Sequence, residues 1–129
     1  MATISLLITS APLMSQSAHS ALRFAQTVVQ SEHTLQGVFF YSEGVHNANG
    51  LQLTPSDEHR LYAAWCELAL QHGCPLLVCV TAATKRGILS IKDAKENDLN
   101  HTTLEAPFQS VGLGELSELI HSSDRLIQF

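Results

Sequence analysis

No run of this sequence is long and apolar enough to cross a bilayer, which takes about 20 residues. The apolar start, Met1 to Ser10, falls short of that and carries neither a basic leader region nor a convincing cleavage site. It reads as a buried strand, and the chain as cytoplasmic. Basic residues are scarce: seven Lys and Arg face twelve Asp and Glu, for a formal net charge of −5. The densest basic spots, Lys85-Arg86 and Lys92/Lys95, are too small to track a phosphate backbone. That argues against direct nucleic-acid binding and leaves any link to RNA to a partner. Cysteine is scarce too. Three residues, Cys66, Cys74 and Cys79, form an odd set with no framework spacing, which excludes a disulfide scaffold and fits a reducing compartment. There is no P-loop, no Gly-x-Ser-x-Gly, no paired-carboxylate site, no internal repeat and no low-complexity linker. Gly112-Leu113-Gly114 follows no first strand and has Ser117 in the sixth position, so it opens a helix rather than a phosphate loop.

What is present is an ordinary globular composition, 45% hydrophobic and 15% charged, over 129 residues. That suits a single domain spanning residues 1–129. Strand-like and helix-like patterns alternate. Ile4 to Thr9 is a short apolar run with β-branched residues, ended by Ser10-Ala11-Pro12. From Ser17 to Gln30, Ala18, Ala21, Leu22, Ala25, Val28 and Val29 recur on one helical face. Leu35 to Tyr41 reads as a strand, and Ser42 to Leu53 as a loop. Thr54, Pro55 and Asp57 carry a helix-start signal, with Leu61, Trp65 and Leu68 as the stripe and Gly73 as the stop. Leu76 to Val80 is a third apolar strand. Thr81 to Gly87 suits a helical turn, and Ser90 with Asp93 caps another short helix. His101 to Ser110 reads as irregular around Pro107, Glu115 to His121 as a helix and Arg125 to Gln128 as a final strand. The expected fold is α/β: one mainly parallel open sheet with helices on both faces.

In such a sheet reactive groups gather at the carboxyl ends of the strands. Ser10–Ser17, Ser42–Asn49 and Cys79–Arg86 fall there, which makes Cys79 the best-positioned thiol. Lys85 and Arg86, with a helical turn at Thr81–Thr84 whose N–H groups face the sulfur, would favour its thiolate. The competing reading is a small buried hydrophobe, the usual fate of free cysteine. Cys66 sits mid-helix and reads as packing. Cys74 lies on the turn at the opposite end of the third strand, about 16 Å away by strand rise, which argues against a redox pair with Cys79. The seven histidines form no i, i+4 pair and no metal-ligand spacing; His72-Gly73-Cys74 is the nearest and is weak. His46 reads first as a solvated loop residue and second as a group facing the active edge. Glu43 reads first as a solvent-facing loop carboxylate and second as an acid or base.

One stretch is more specific. Phe39-Phe40-Tyr41-Ser42-Glu43-Gly44-Val45-His46-Asn47-Ala48-Asn49 resembles the second-strand signature of the DsrE family, in the form its TusD-type subunits carry. Ser56-Asp57-Glu58, Trp65 and Gln71-His72-Gly73 fit the same pattern at the same separations. Cys79-Val80-Thr81-Ala82-Ala83 with Arg86-Gly87 is similar to the segment holding the family's sulfur-carrying cysteine. Gly112-Leu113-Gly114 and Asp124-Arg125 through Gln128-Phe129 extend the likeness over essentially the whole chain.

The resemblance implies a sulfurtransferase in which Cys79 is the catalytic residue and holds sulfur as a persulfide. It also implies a heterohexamer with TusB-like and TusC-like subunits, two copies of each. A TusA-like donor and a TusE-like acceptor would complete a relay ending in 2-thiolation of a tRNA wobble uridine. No metal, nucleotide or redox cofactor is called for. The alternatives are a DsrE-type role in sulfur oxidation, an assembly subunit with an inert cysteine, and a flavodoxin-like binder of a small ligand.

Overall fold

The computed structural model describes residues 1–129. Five strands form one parallel sheet in the order β4-β3-β2-β1-β5. They are β1 (Thr3–Ile8), β2 (Thr34–Phe40), β3 (Leu76–Cys79), β4 (Phe108–Val111) and β5 (Arg125–Gln128). The helices are α1 (Ser17–Val29), α2 (Leu61–His72), α3 (Val80–Thr84), α4 (Ile91–Glu96) and α5 (Leu113–Ser122). No helix is long and apolar enough to cross a membrane.

The central strands follow from their composition. Ser5, Leu6, Ile8, Val38, Phe39, Phe40, Leu76, Leu77 and Val78 are buried, so β1, β2 and β3 lose water from both faces. α1 buries the stripe read from its spacing: Ala18, Ala21, Leu22, Ala25 and Val28. α2 buries Leu61, Trp65 and Leu68. The Trp65 ring meets Phe40 edge-on at 5.4 Å, and Phe40 in turn meets Phe108 at 5.6 Å. Gly73 closes α2 with φ +65°, its N–H bonding the Ala69 carbonyl at 2.9 Å, as the glycine stop requires.

From β1 to β4 the chain steps across the sheet in one direction, so right-handed crossovers keep those connections on one face. α1 and α2 pack together there. The β4-to-β5 connection turns back past β3, β2 and β1, which carries α5 to the other face. There the Leu119 side chain lies against Gly37, leaving a Cβ at that position only 3.0 Å of room. Helices thus cover both faces, as the alternation of patterns implies.

Three local readings are corrected. Thr54, Pro55 and Asp57 start no helix. Pro55–Glu58 closes a single turn, and α2 begins at Leu61 without a side-chain cap. Residues 55–60 are all exposed, so cap chemistry there has no apolar face to bury behind it. The segment after β2 is not an open loop but a 3-10 helix, Ser42–Ala48, packed so tightly that a Cβ on Gly44 would overlap the Ile8 carbonyl. Phe108–Val111, whose first three residues fall in the stretch read as irregular, is the edge strand β4. Only Phe108 of its four residues is buried, so it lacks the apolar run that marks the inner strands.

Candidate functional site

Cys79 is the last residue of β3 and the N-cap of α3. It pairs in register with Val111, the last residue of β4. From these two neighbouring carboxyl ends the chain departs to opposite faces, into α3 on one side and α5 on the other. This is the topological switch point, where an open parallel sheet leaves a crevice for ligands. The carboxyl-end position of Cys79 was legible in the sequence. The switch was not, because it depends on β4.

A cavity of about 360 Å³ opens at this crevice. Cys79, Thr81, Ala82, Lys85 and Arg86 line it from β3 and α3, Tyr41 and Ser42 from the end of β2, and Leu113 from α5. Cys79 itself is 2% exposed, so little of its surface reaches the cavity. The helical turn expected after it is present, but the Cys79 side chain makes no cap hydrogen bond with it. Ser42 adopts φ +53°, a left-handed conformation that is uncommon for a residue with a Cβ. No sequence signal marks Ser42, since its conformation follows from how the 3-10 helix docks on β1.

The two cations beside the thiol differ. Arg86 donates to Glu43 Oε1 through Nη2 at 2.7 Å and Nε at 3.0 Å, and to the Ala82 carbonyl through Nη1 at 3.0 Å. Lys85 is exposed and belongs to none of the chain's ion pairs. Glu43 faces solvent as expected and is also a partnered carboxylate. His46 Nε2 lies 3.3 Å from its other oxygen. The hydrogen bond from Arg86 holds the Glu43 carboxyl below its ordinary range, and the Arg86 charge and His46 add to that. His46 thus reaches the site's rim through Glu43.

The other thiols lie apart. Cys74 stands before β3, at the far end from Cys79, and burial pushes its thiol up to about 12. Cys66, half-buried on α2, is also raised by burial. All three cysteines are free. His19 and His59 meet edge-on with ring centroids 4.3 Å apart, outside this site. Nowhere do three His, Cys, Asp or Glu side chains converge as a metal set.

A thiol set in the switch-point crevice of a doubly wound parallel sheet, beside a lysine and a braced arginine, defines a small α/β thiol protein. The chain belongs to the DsrE/DsrF-like family, whose model matches residues 2–129. It is 42% identical over 127 residues to the sulfurtransferase TusD homolog of Vibrio parahaemolyticus, covering 98% of this chain and 97% of the relative. It is 44% identical over 124 residues to the sulfurtransferase TusD of Serratia proteamaculans, covering 96% of each. The crystal structure of the ychN protein from E. coli superposes with a TM-score of 0.79 over 100% of both chains, at 24% identity. That likeness concerns the fold.

Proposed function

We propose that the chain is a sulfurtransferase of a sulfur relay and that Cys79 carries the transferred sulfur as a persulfide. The observation that carries this reading is the position of Cys79 in the lining of the switch-point cavity, which Lys85 and Arg86 also line. Relatives named sulfurtransferase TusD at 42–44% identity over nearly the whole chain support the relay role.

In this reading the Cys79 thiolate attacks the outer sulfur of a donor persulfide and the donor thiolate leaves. The acceptor thiolate then attacks the outer sulfur of Cys79–S–S⁻, and the Cys79 thiolate is regenerated. No metal or redox cofactor enters either step. The donor is of the TusA type and the acceptor of the TusE type. TusB-like and TusC-like subunits complete a hexamer with two copies of each chain, and the product is a 2-thiolated wobble uridine in tRNA. The site of action is cytoplasmic, where thiols stay reduced.

Intact mass after exposure to a persulfide donor tests the carrier role. The native chain gains roughly 32 mass units, one sulfur atom, in a form that reductant removes. Cys79→Ser gains nothing. Equal gain in the variant, through Cys66 or Cys74, removes Cys79 from the mechanism. The burial of Cys79 favours a second reading, an assembly subunit whose thiol is inert; a native chain that takes up no sulfur inside a stable hetero-oligomer would establish it.

A further inference from the structure

We propose that the Cys79 cavity is tuned to receive an ionised sulfane-sulfur donor, with Lys85 setting the charge preference and Glu43 limiting it. This rests on the carrier reading above and names the substrate class of the same site.

Arg86 and Lys85 both line the cavity, yet only one acts as a free charge. Glu43 holds Arg86 at contact distance through two hydrogen bonds, and the Ala82 carbonyl takes a third. The Arg86 charge is cancelled beside its source, so Arg86 braces the wall. Lys85 pairs with no carboxylate, and no Asp or Glu lines the cavity. The remaining polar groups there are the neutral hydroxyls of Tyr41, Ser42 and Thr81. The cavity therefore carries one uncompensated positive charge.

The transfer step needs such a charge. The Cys79 thiolate donates a lone pair to the outer sulfur of R–S–S⁻, forming the new S–S bond. The bond from that sulfur to the donor sulfur breaks, and its electron pair leaves as R–S⁻. Two negative charges enter and two remain, on Cys79–S–S⁻ and R–S⁻, with no oxidant or reductant consumed. Two anionic sulfurs must nevertheless come within bonding distance, and their repulsion opposes the encounter. The Lys85 ammonium in the cavity lining offsets that repulsion. It does nothing for a neutral thiol or disulfide, so it separates an ionised persulfide from its neutral competitors.

The test is the ratio of Cys79 alkylation rates with iodoacetate, an anion, and iodoacetamide, which is neutral, read from the Cys79 peptide by mass. Both reagents consume the thiolate, so altered ionisation of the thiol cancels in the ratio. Lys85→Gln lowers the ratio several-fold and Lys85→Arg restores it. Glu43→Gln, which uncovers the Arg86 charge, raises it. Both shifts shrink in 1 M salt, where the screening length is about 3 Å against about 10 Å at 0.1 M. A ratio unmoved by Lys85→Gln, or unmoved or lowered by Glu43→Gln, overturns the proposal. Lys85 is exposed, so its replacement leaves the core intact. Persulfide loading of the same preparations separates the two ideas. A flat ratio in a chain that loads sulfur on Cys79 overturns the charge preference alone. A shifted ratio in a chain that loads none overturns the carrier reading and leaves the preference as a property of the cavity.

Discussion

Arg86 binds one oxygen of Glu43 twice, joining the helix that follows β3 to the 3-10 segment that follows β2. The bond spans the rim of the Cys79 cavity, so it fixes the relative position of two of its walls. It also sets a pH dependence. The Glu43 carboxyl is held below its ordinary value of 4.5 in the folded chain, chiefly by the Arg86 hydrogen bond. A carboxyl with a lowered folded value contributes stability above its unfolded value and loses it as the pH falls through the folded one. The native chain should therefore melt above Glu43→Gln at pH 6 to 7, with the gap closing as the pH falls below 4.5. The residue is largely exposed, so the gap is small. Melting curves of the two chains across this range decide it; a gap that does not change with pH would remove the ion pair from the account.

The three thiols should separate by reactivity. Burial pushes Cys74 up to about 12 and also raises Cys66; Cys79, though only 2% exposed, is the one thiol that lines a cavity with cations beside it. Only thiolates are alkylated. At pH 8 iodoacetamide should modify Cys79 first and Cys66 more slowly, with Cys74 modified only in denaturant. Peptide mass at timed intervals reads the order. Cys74 reacting ahead of Cys79 in the native chain would reverse the assignment of the accessible thiol.

The fold was largely legible because its central strands are buried on both faces and its long helices carry single apolar stripes. Ile4–Ile8 (Ser5 apart), Val38–Phe40 and Leu76–Cys79 are apolar whatever surrounds them. The site was legible in part. Cys79 stands next to the end of an apolar run, and Lys85 with Arg86 follows within a few residues, so their proximity is local. What sequence could not supply is contact across the fold. Glu43 meets Arg86 over 43 positions. β4 is a strand because β3 pairs with it, although only two of its four residues are apolar. Thr54 shows the converse, a cap signal without a buried face behind it. The family resemblance pointed to Cys79, and the sheet order supplies a geometric reason for that position.

Gly44 and Gly73 should respond differently to alanine. A Cβ on Gly44 would overlap the Ile8 carbonyl, so the 3-10 segment must move off β1. That should cost about 3 kcal/mol, the upper part of the range for overpacking. A Cβ on Gly73 would meet nothing within 4 Å, so that position is constrained only by its φ of +65°. Its substitution should cost about 1 kcal/mol, the penalty for a left-handed residue with a side chain. Urea unfolding gives both values. Gly44→Ala should also slow iodoacetamide at Cys79, since Tyr41 and Ser42 move with the segment, and Gly73→Ala should not. Equal costs would mean that the 3-10 segment yields without strain.

Asn47 holds the same segment from inside. It is buried, and its Nδ2 donates to the Ser10 carbonyl at 3.0 Å and to the Gly44 carbonyl at 2.9 Å, while Oδ1 has no partner. Both bonds are donations, so the two obvious substitutions part company. Asn47→Ala loses two hydrogen bonds and leaves two carbonyls short of a donor, for about 2 kcal/mol. Asn47→Asp is nearly the same size but sets an oxygen against those carbonyls and buries a charge where the existing oxygen already has no donor. It should cost at least about 3 kcal/mol at pH 7, within the range for an uncompensated buried charge. Because the protonated acid can donate one bond, the deficit of Asn47→Asp relative to Asn47→Ala should narrow on acidification. Urea unfolding of both variants at pH 7 and pH 5 measures this. A deficit that is absent at pH 7 would show that the segment's position does not depend on donation from residue 47.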